Sequence, residues 1–408
     1  MKIDLNRLER QKEGLSKWKH SNYKGILRWS TGVGKTFGAM LAIKHIRQFV
    51  KQDAFVIVCV PTDNLRTQWK EKLREQGLTS VYVDTIHTLV KKNHECDFFI
   101  LDEIHSYTGG EVFNTIFDCV KRKYTLGLTA KERDKPEDNE ILNNNAPIVD
   151  TIDLKEALEK GFVSEFKVYN LGLNFNNKDK AKYDHLNRQF YKYFSTFGFD
   201  FDIAMRAGKD SALARQVSRD IHLEEKVVKL HSFHFNRAMQ ARKKYLYQAD
   251  ALIETTKKIV EHFPNKKIIT FSEDTSVADK LTEVLPNSIA YHSNLKTILI
   301  DGKKYGAKRL KDRALAGFKD NTYQILNTAR ALNMGQDVPD IDMSIKTSFN
   351  STVIDSIQRL GRTLRKNGDK QAIEVNLYLS GTQSERWLRK SQTETPNVYW
   401  ISDISEIV

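Results

Sequence analysis

Short apolar runs recur through the first part of the chain, and each is followed by a stretch where apolar residues return every three or four positions. GILRWS (25–30), AFVIVCV (54–60), SVYV (80–83), DFFILD (97–102), YTLGLT (124–129) and EFKVYNL (165–171) read as strands. Runs this continuously apolar suit a parallel sheet covered by helices on both faces. Between them, FGAMLAIKHIRQFV (37–50) and NLRTQWKEKLREQ (64–76) carry the period of amphipathic helices. The pattern predicts an open α/β domain over residues 1–172.

From about 174 the alternation stops. SALARQVSRDIHLEEKVVKL (211–230) and ADALIETTKKIVEHF (249–263) show helical spacing in a stretch rich in Lys, Arg, Asp, Tyr and Phe, so a helical insert or arm is expected over 173–263. Alternation resumes with KKIITFS, SIAYHS, YQILNTA, IDMSIKT and AIEVNLYL, separated by TSVADKLTEVL and STVIDSIQRLGRTLR. A second α/β domain is therefore expected over 264–408.

Bulk composition narrows the classes. At 408 residues with 40% hydrophobic content the chain can bury more than one core. No apolar run approaches the roughly 18 residues of a membrane helix. The opening MKIDLNRLERQKE lacks the apolar segment of a secretory signal, so the expected location is cytoplasmic, in a bacterial or phage-infected cell. Cys59, Cys96 and Cys119 lack metal-ligand spacing and read as buried or incidental thiols. A net charge of +13 favours a polyanionic partner, although charge alone leaves nucleic acid at even odds.

Candidate chemistry gathers in three places. GILRWSTGVGKTFGAML (25–41) has the strand, glycine turn and helix of a phosphate loop, except that Trp29 stands where the general pattern has glycine. Gly32 and Gly34 let backbone amides turn toward phosphates, Lys35 reaches the β and γ phosphates, and Thr36 is placed for Mg²⁺. The bland alternative is a glycine turn before a helix. LDEIH ends an apolar strand with Asp102 for the metal and Glu103 to polarise water; alone it could be an ordinary acidic strand end. QRLGRTLR (358–365) sets Arg362 and Arg365 three apart, able to reach a γ-phosphate from the second domain, or to be a solvated basic face.

Together these segments resemble the superfamily 2 helicases and translocases, in the DExH group that includes XPB-like proteins, phage recombination helicases and restriction-enzyme motor subunits. The likeness spans nearly the whole chain in the family's order. LERQKEGL places Gln11 at the adenine-reading glutamine; STGVGKT, with Thr31, Gly32, Val33, Gly34, Lys35 and Thr36, matches motif I. VPTDNLRTQW (60–69) and VDTIHTL (83–89) resemble segments that face the nucleic-acid backbone, through Thr62, Arg66 and Thr85. LDEIH is similar to motif II, with His105 as a coupling residue. LGLTAKE resembles motif III through Thr129 and Ala130, but Lys131 and Glu132 replace its usual last two residues. KKIITFS resembles motif IV, with Ser272 toward nucleic acid. NTARALNMGQDVPDID resembles motif V, with Thr328 toward nucleic acid and Gly335 and Asp337 toward nucleotide. QRLGRTLR is similar to motif VI, with Gln358, Arg362 and Arg365 in catalytic places. In this group Trp29 is the last residue of the strand, packing beneath the loop.

The resemblance implies two RecA-like parallel-sheet domains in tandem with a helical insert between them, hydrolysing ATP with Mg²⁺ at their interface. Closure and opening would move the enzyme along a nucleic acid, with DNA expected ahead of RNA. A monomer is expected. With little beyond the last strand, targeting would fall to the insert or to a protein partner. The motifs leave open strand separation, duplex translocation, and annealing or branch migration. From other classes come a P-loop ATPase that remodels protein and a binding module on an inactive motor. The aromatic segment KYDHLNRQFYKYF (182–194) could lie over the substrate or brace the arm, and KKYGAKRLKDR (303–313) opens a helix as a solvated face.

Overall fold

The computed structural model describes residues 5–108, 111–130, 132, 136–163, 165–300, 303–329, 341–349, 372–392 and 396–408. The chain starts with helix α1 (Leu5–His20) and continues through β1 (Lys24–Trp29), α2 (Lys35–Phe49), β2 (Val56–Val60), α3 (Asp63–Glu75), β3 (Val81–Thr85), β4 (His94–Asp102), β5 (Val120–Thr129) and β6 (Ile148–Ile152). These strands form one six-stranded parallel sheet in the order β3-β2-β4-β5-β1-β6. β2 is buried at every position, which accounts for its unbroken apolar run. Helices cover both faces: Trp18, Ala39, Ile43, Ile46 and Trp69 on one, Ile86, Ile104 and Tyr107 on the other.

The second sheet contains β7 (Phe166–Leu173), β8 (Ile268–Ser272), β9 (Ser288–Tyr291), β12 (Ile325–Ala329), β13 (Met343–Lys346), β14 (Ala372–Leu379) and β15 (Val398–Ile401). Its order is β15-β7-β14-β13-β8-β12-β9, again parallel throughout. A small antiparallel hairpin, β10 (Ile298–Ile300) with β11 (Lys303–Tyr305), lies outside it. The basic run at 303–313 therefore opens on a strand and enters its helix only at Ala307.

Three expectations are corrected. EFKVYNL does not close the first sheet: β7 pairs with β14 over eight positions and with β15 on its other side. The helix Asp250–His262 is not part of the arm, because Leu252, Ile259 and Val260 join the core of the second sheet with Ile268 and Val277. The arm therefore leaves the second domain after β7 and returns to it before Asp250, as an insertion within that domain. Its own core joins Phe190, Phe197, Ala214, Val228 and Phe235. Finally, SALARQVSRDIHLEEKVVKL is two helices, Ser211–Asp220 and one beginning at Glu225, because His222 takes a left-handed φ of 55° between them. Cys59 and Cys96 are buried free thiols and Cys119 is partly buried.

Candidate active site

β1 delivers a fully buried Trp29 to the edge of the first sheet, and the chain turns there into α2. Gly32 and Gly34 make the turn with φ of 91° and 97°, which a side chain would strain. The first N–H groups of α2 have no intrahelical acceptor and Gly34 caps them with no side chain, the arrangement that binds anions. Lys35 Nζ donates to the Trp29 carbonyl at 3.1 Å, which keeps the ammonium inside the loop's concavity. Thr31 and Thr36 are half-buried on the loop and on that first turn.

Gln11 meets the loop from α1. Its amide nitrogen donates to the Val33 carbonyl at 2.7 Å, and a Cβ at position 34 would lie 2.6 Å from that nitrogen. Gly34 is thus required twice, by its φ and by the approach of Gln11. Trp29 is the floor beneath. Cβ atoms added at Gly14 of α1 and Gly38 of α2 would come within 2.6 and 2.7 Å of its ring, so both helices press against the indole. The residue that departs from the general phosphate-loop pattern is the packing centre under the loop.

Opposite the loop, β4 ends in Asp102, and Glu103 follows in a left-handed conformation with φ of 51°. A non-glycine residue held there is strained, a feature that concentrates at functional sites. Asp102 is 5% exposed; its Oδ2 accepts from the Trp69 indole at 2.7 Å and its Oδ1 from the Glu103 N–H at 3.1 Å. Burial and the neighbouring Glu103 push the Asp102 carboxyl up to about 6, against the pull of the Trp69 bond and of Lys35. Glu103 Oε2 is buried without a hydrogen bond and lies 3.5 Å from His105 Nδ1. A buried carboxylate disfavoured as a bare charge fits a hydrated Mg²⁺, which Asp102 would hold with the Thr36 hydroxyl. Held there, Mg²⁺ would supply charge neutralisation at the phosphates.

His105 Nδ1 and Thr129 Oγ1 are 2.8 Å apart and both residues are buried, so the strand ends of β4 and β5 are bridged. Ala130 follows at the end of β5, and Glu132 pairs with Arg28 of β1 at 2.9 Å. Two residues without an assigned role from sequence belong to this cluster. Trp69 comes from α3, and Tyr107 donates to the Asp102 carbonyl at 2.7 Å and the Cys59 carbonyl at 3.2 Å. Trp69 sat in plain view as a tryptophan on the apolar face of α3 with Leu65 and Leu73; nothing local indicated its acceptor.

The remaining candidates divide. Thr62 caps α3, accepting from the Leu65 N–H at 3.4 Å, and Arg66 pairs with Asp84 at 2.9 Å and Asp63 at 2.8 Å. Thr85 follows at the end of β3, so all three lie at the carboxyl edge of the first sheet. Ser272 and Thr328, expected to face nucleic acid, are 2% and 1% exposed. Their hydroxyls donate to the carbonyls of Thr328 and Thr270, tying β8 to β12. The sheet pairing uses both groups internally. Lys131, Gly335, Asp337, Gln358, Arg362 and Arg365 lie outside the described residues.

Two family models match the sequence, one on each domain: type III restriction enzyme, res subunit, over residues 4–82, and the helicase conserved C-terminal domain over 251–367. The DNA 3'-5' translocase XPB2 of Sulfurisphaera tokodaii is 26% identical over 95% of this chain and 84% of its own length. Together the two models and this relative support a superfamily 2 helicase or translocase. The same findings support an ATP-dependent nucleic-acid motor. The fold agrees. The Hef helicase domain of Pyrococcus furiosus superposes with a TM-score of 0.58 at 16% identity, covering 94% of this chain and 98% of that one. Dbp5 of S. cerevisiae, bound to RNA and ADP BeF3, gives 0.60 at 14% identity, with coverage of 96% and 88%. The superfamily's two RecA-like domains correspond to the two parallel sheets described above. Among the described residues, no helix is long and apolar enough to cross a membrane.

Proposed function

We propose that this chain is a DNA-stimulated ATPase that moves along DNA as a monomer in the cytoplasm, using Mg²⁺ and, where required, a targeting partner. The observation that carries the reading is one cradle holding Lys35, Asp102 and Glu103, with Glu103 3.5 Å from His105 and His105 bridged to Thr129 at the neighbouring strand end. In this reading Lys35, with the amides after Gly32 and Gly34, holds the phosphates, Thr36 and Asp102 hold Mg²⁺ through water, and Glu103 orients the attacking water. Gln11 reads the base. Arg362 and Arg365, with Gln358, Gly335 and Asp337, act from the second domain. Thr62, Arg66 and Thr85 follow backbone phosphates without reading sequence.

DNA is preferred over RNA because the relative that matches across 95% of this chain is a DNA translocase. That likeness also favours translocation as the primary movement, with strand separation or branch migration as outcomes of substrate geometry. The test is steady-state ATPase with single-stranded DNA, duplex, forks, four-way junctions and RNA, beside Lys35→Ala. DNA should raise the rate and Lys35→Ala should abolish it. Hydrolysis indifferent to every nucleic acid, or retained in Lys35→Ala, would overturn the reading.

A further inference from the structure

Asp150 lies on β6, outside every segment that resembles a motif, and is the most heavily engaged carboxylate near the site. It is 3% exposed. It accepts from Arg10 at 2.9 and 3.3 Å, from Lys17 Nζ at 2.6 Å and from the Trp29 indole at 2.7 Å. Arg10 and Lys17 belong to α1, and Trp29 is the floor of the phosphate loop. Arg10 also donates to Glu156 at 2.7 Å and to the Thr151 carbonyl at 2.9 Å, which fixes the plane of its guanidinium. At Gly14, a Cβ would be 2.6 Å from Asp150 Oδ2, so α1 sits directly on the carboxylate.

The residue after Arg10 is Gln11. With its amide nitrogen committed to the Val33 carbonyl, Gln11 has its side-chain oxygen left as an acceptor. An acceptor there matches the exocyclic amine of adenine and opposes the carbonyl of guanine. Where Gln11 stands depends on the height and rotation of α1, and those are set by Arg10, Lys17 and Gly14 against Asp150. The same carboxylate also fixes the ring beneath the loop. Burial opposes its charge most, yet the bonds from Arg10, Lys17 and Trp29 together hold the carboxyl below the usual range. An apolar contact could hold α1 down without that desolvation cost, but it would not fix orientation.

We propose that Asp150 is a positioning residue for base selection: by clamping α1 and Trp29 to one carboxylate, it holds Gln11 in register with the phosphate loop. The inference rests on the reading of this cradle as an ATP site with Gln11 at the base. The test compares wild type, Trp29→Phe, Asp150→Asn, Gln11→Ala and Gln11→Ala/Asp150→Asn. Each is assayed for kcat and KM with ATP and with GTP, for calorimetric binding of both nucleotides without turnover, and for urea midpoint.

Losing the register of one hydrogen bond is worth about fivefold. Asp150→Asn should therefore lower the preference for ATP over GTP by about that factor, chiefly through KM for ATP. Trp29→Phe removes one of the donors together with part of the ring on which both helices pack, a loss the urea midpoint reads; it should shift the preference the same way by less, and it serves if Asp150→Asn does not fold. In the Gln11→Ala background Asp150→Asn should cause no further drop in preference. Equal losses with ATP and GTP, or a full further drop in that background, overturn the clamp while leaving the ATP site intact. Wild type that binds neither nucleotide overturns both readings.

Discussion

Replacing Trp69 with phenylalanine removes one N–H from the wall of the nucleotide cradle and keeps most of the ring. That N–H donates to Asp102 Oδ2 at 2.7 Å between two buried residues. A hydrogen bond to an ionised acceptor is worth about 1.5–3 kcal/mol, or about 10- to 100-fold in the ionisation equilibrium when it acts only on the charged form. Asp102 is already displaced upward to about 6 by burial and Glu103, with the Trp69 bond opposing them. Trp69→Phe should raise it further, and the acidic limb of the ATPase profile should move up by about one pH unit. Mg²⁺ favours the ionised carboxylate in both proteins and lowers both limbs together. The difference between the two profiles at equal, saturating Mg²⁺ and ATP is therefore the readout. Stability follows the same displacement. A carboxyl whose folded pKa lies above its unfolded value contributes stability that is present at low pH and is lost as pH rises through about 6. In Trp69→Phe that loss should occur at higher pH, measured by urea unfolding across pH. Coincident acid limbs for the two proteins would refute the argument that Trp69 sets the ionisation of Asp102.

Three further perturbations test other parts of the structure. Thr129→Val breaks the 2.8 Å bridge to His105 and should reduce nucleic-acid stimulation by about fivefold while changing the unstimulated rate less; equal reductions in both would remove the bridge from coupling. Gly34→Ala places a methyl 2.6 Å from the Gln11 nitrogen and strains a φ of 97°. It should cost about 1–3 kcal/mol in urea unfolding and raise KM for ATP. Lys346 and Glu374 form a 2.8 Å pair that is 2% and 3% exposed inside the second sheet. Lys346→Met should destabilise by about 3–5 kcal/mol, and Lys346→Met/Glu374→Leu should recover most of it in the same assay.

Much of the site was written locally. The glycines, lysine and threonine of the phosphate-loop pattern fall within seven consecutive residues where a strand turns into a helix. The carboxylates of LDEIH sit at a strand end that its apolar run announces. His105 and Thr129 were named separately, each through the resemblance; the structure supplies the contact between them. Ser272 and Thr328 were expected to face nucleic acid because a hydroxyl at a strand end looks the same in sequence whether it faces solvent or, as here, closes a bond to the next strand.

What the sequence determined by itself was the kind of each element and the chemistry of each short loop, since a helical or strand period and a glycine turn depend on neighbours a few positions apart. Tertiary structure decided the partners. EFKVYNL is a strand by its pattern, but that it joins the second sheet follows from pairing with residues 372–379, and the place of the arm follows from that. Asp150 meets Arg10 and Trp29 across 140 and 121 residues. Trp29 itself was recognisable as the residue beneath the loop. What holds it there, and what it holds in turn, is set only when β6 closes against β1 and α1, because a buried hydrogen bond is specified by which surfaces meet.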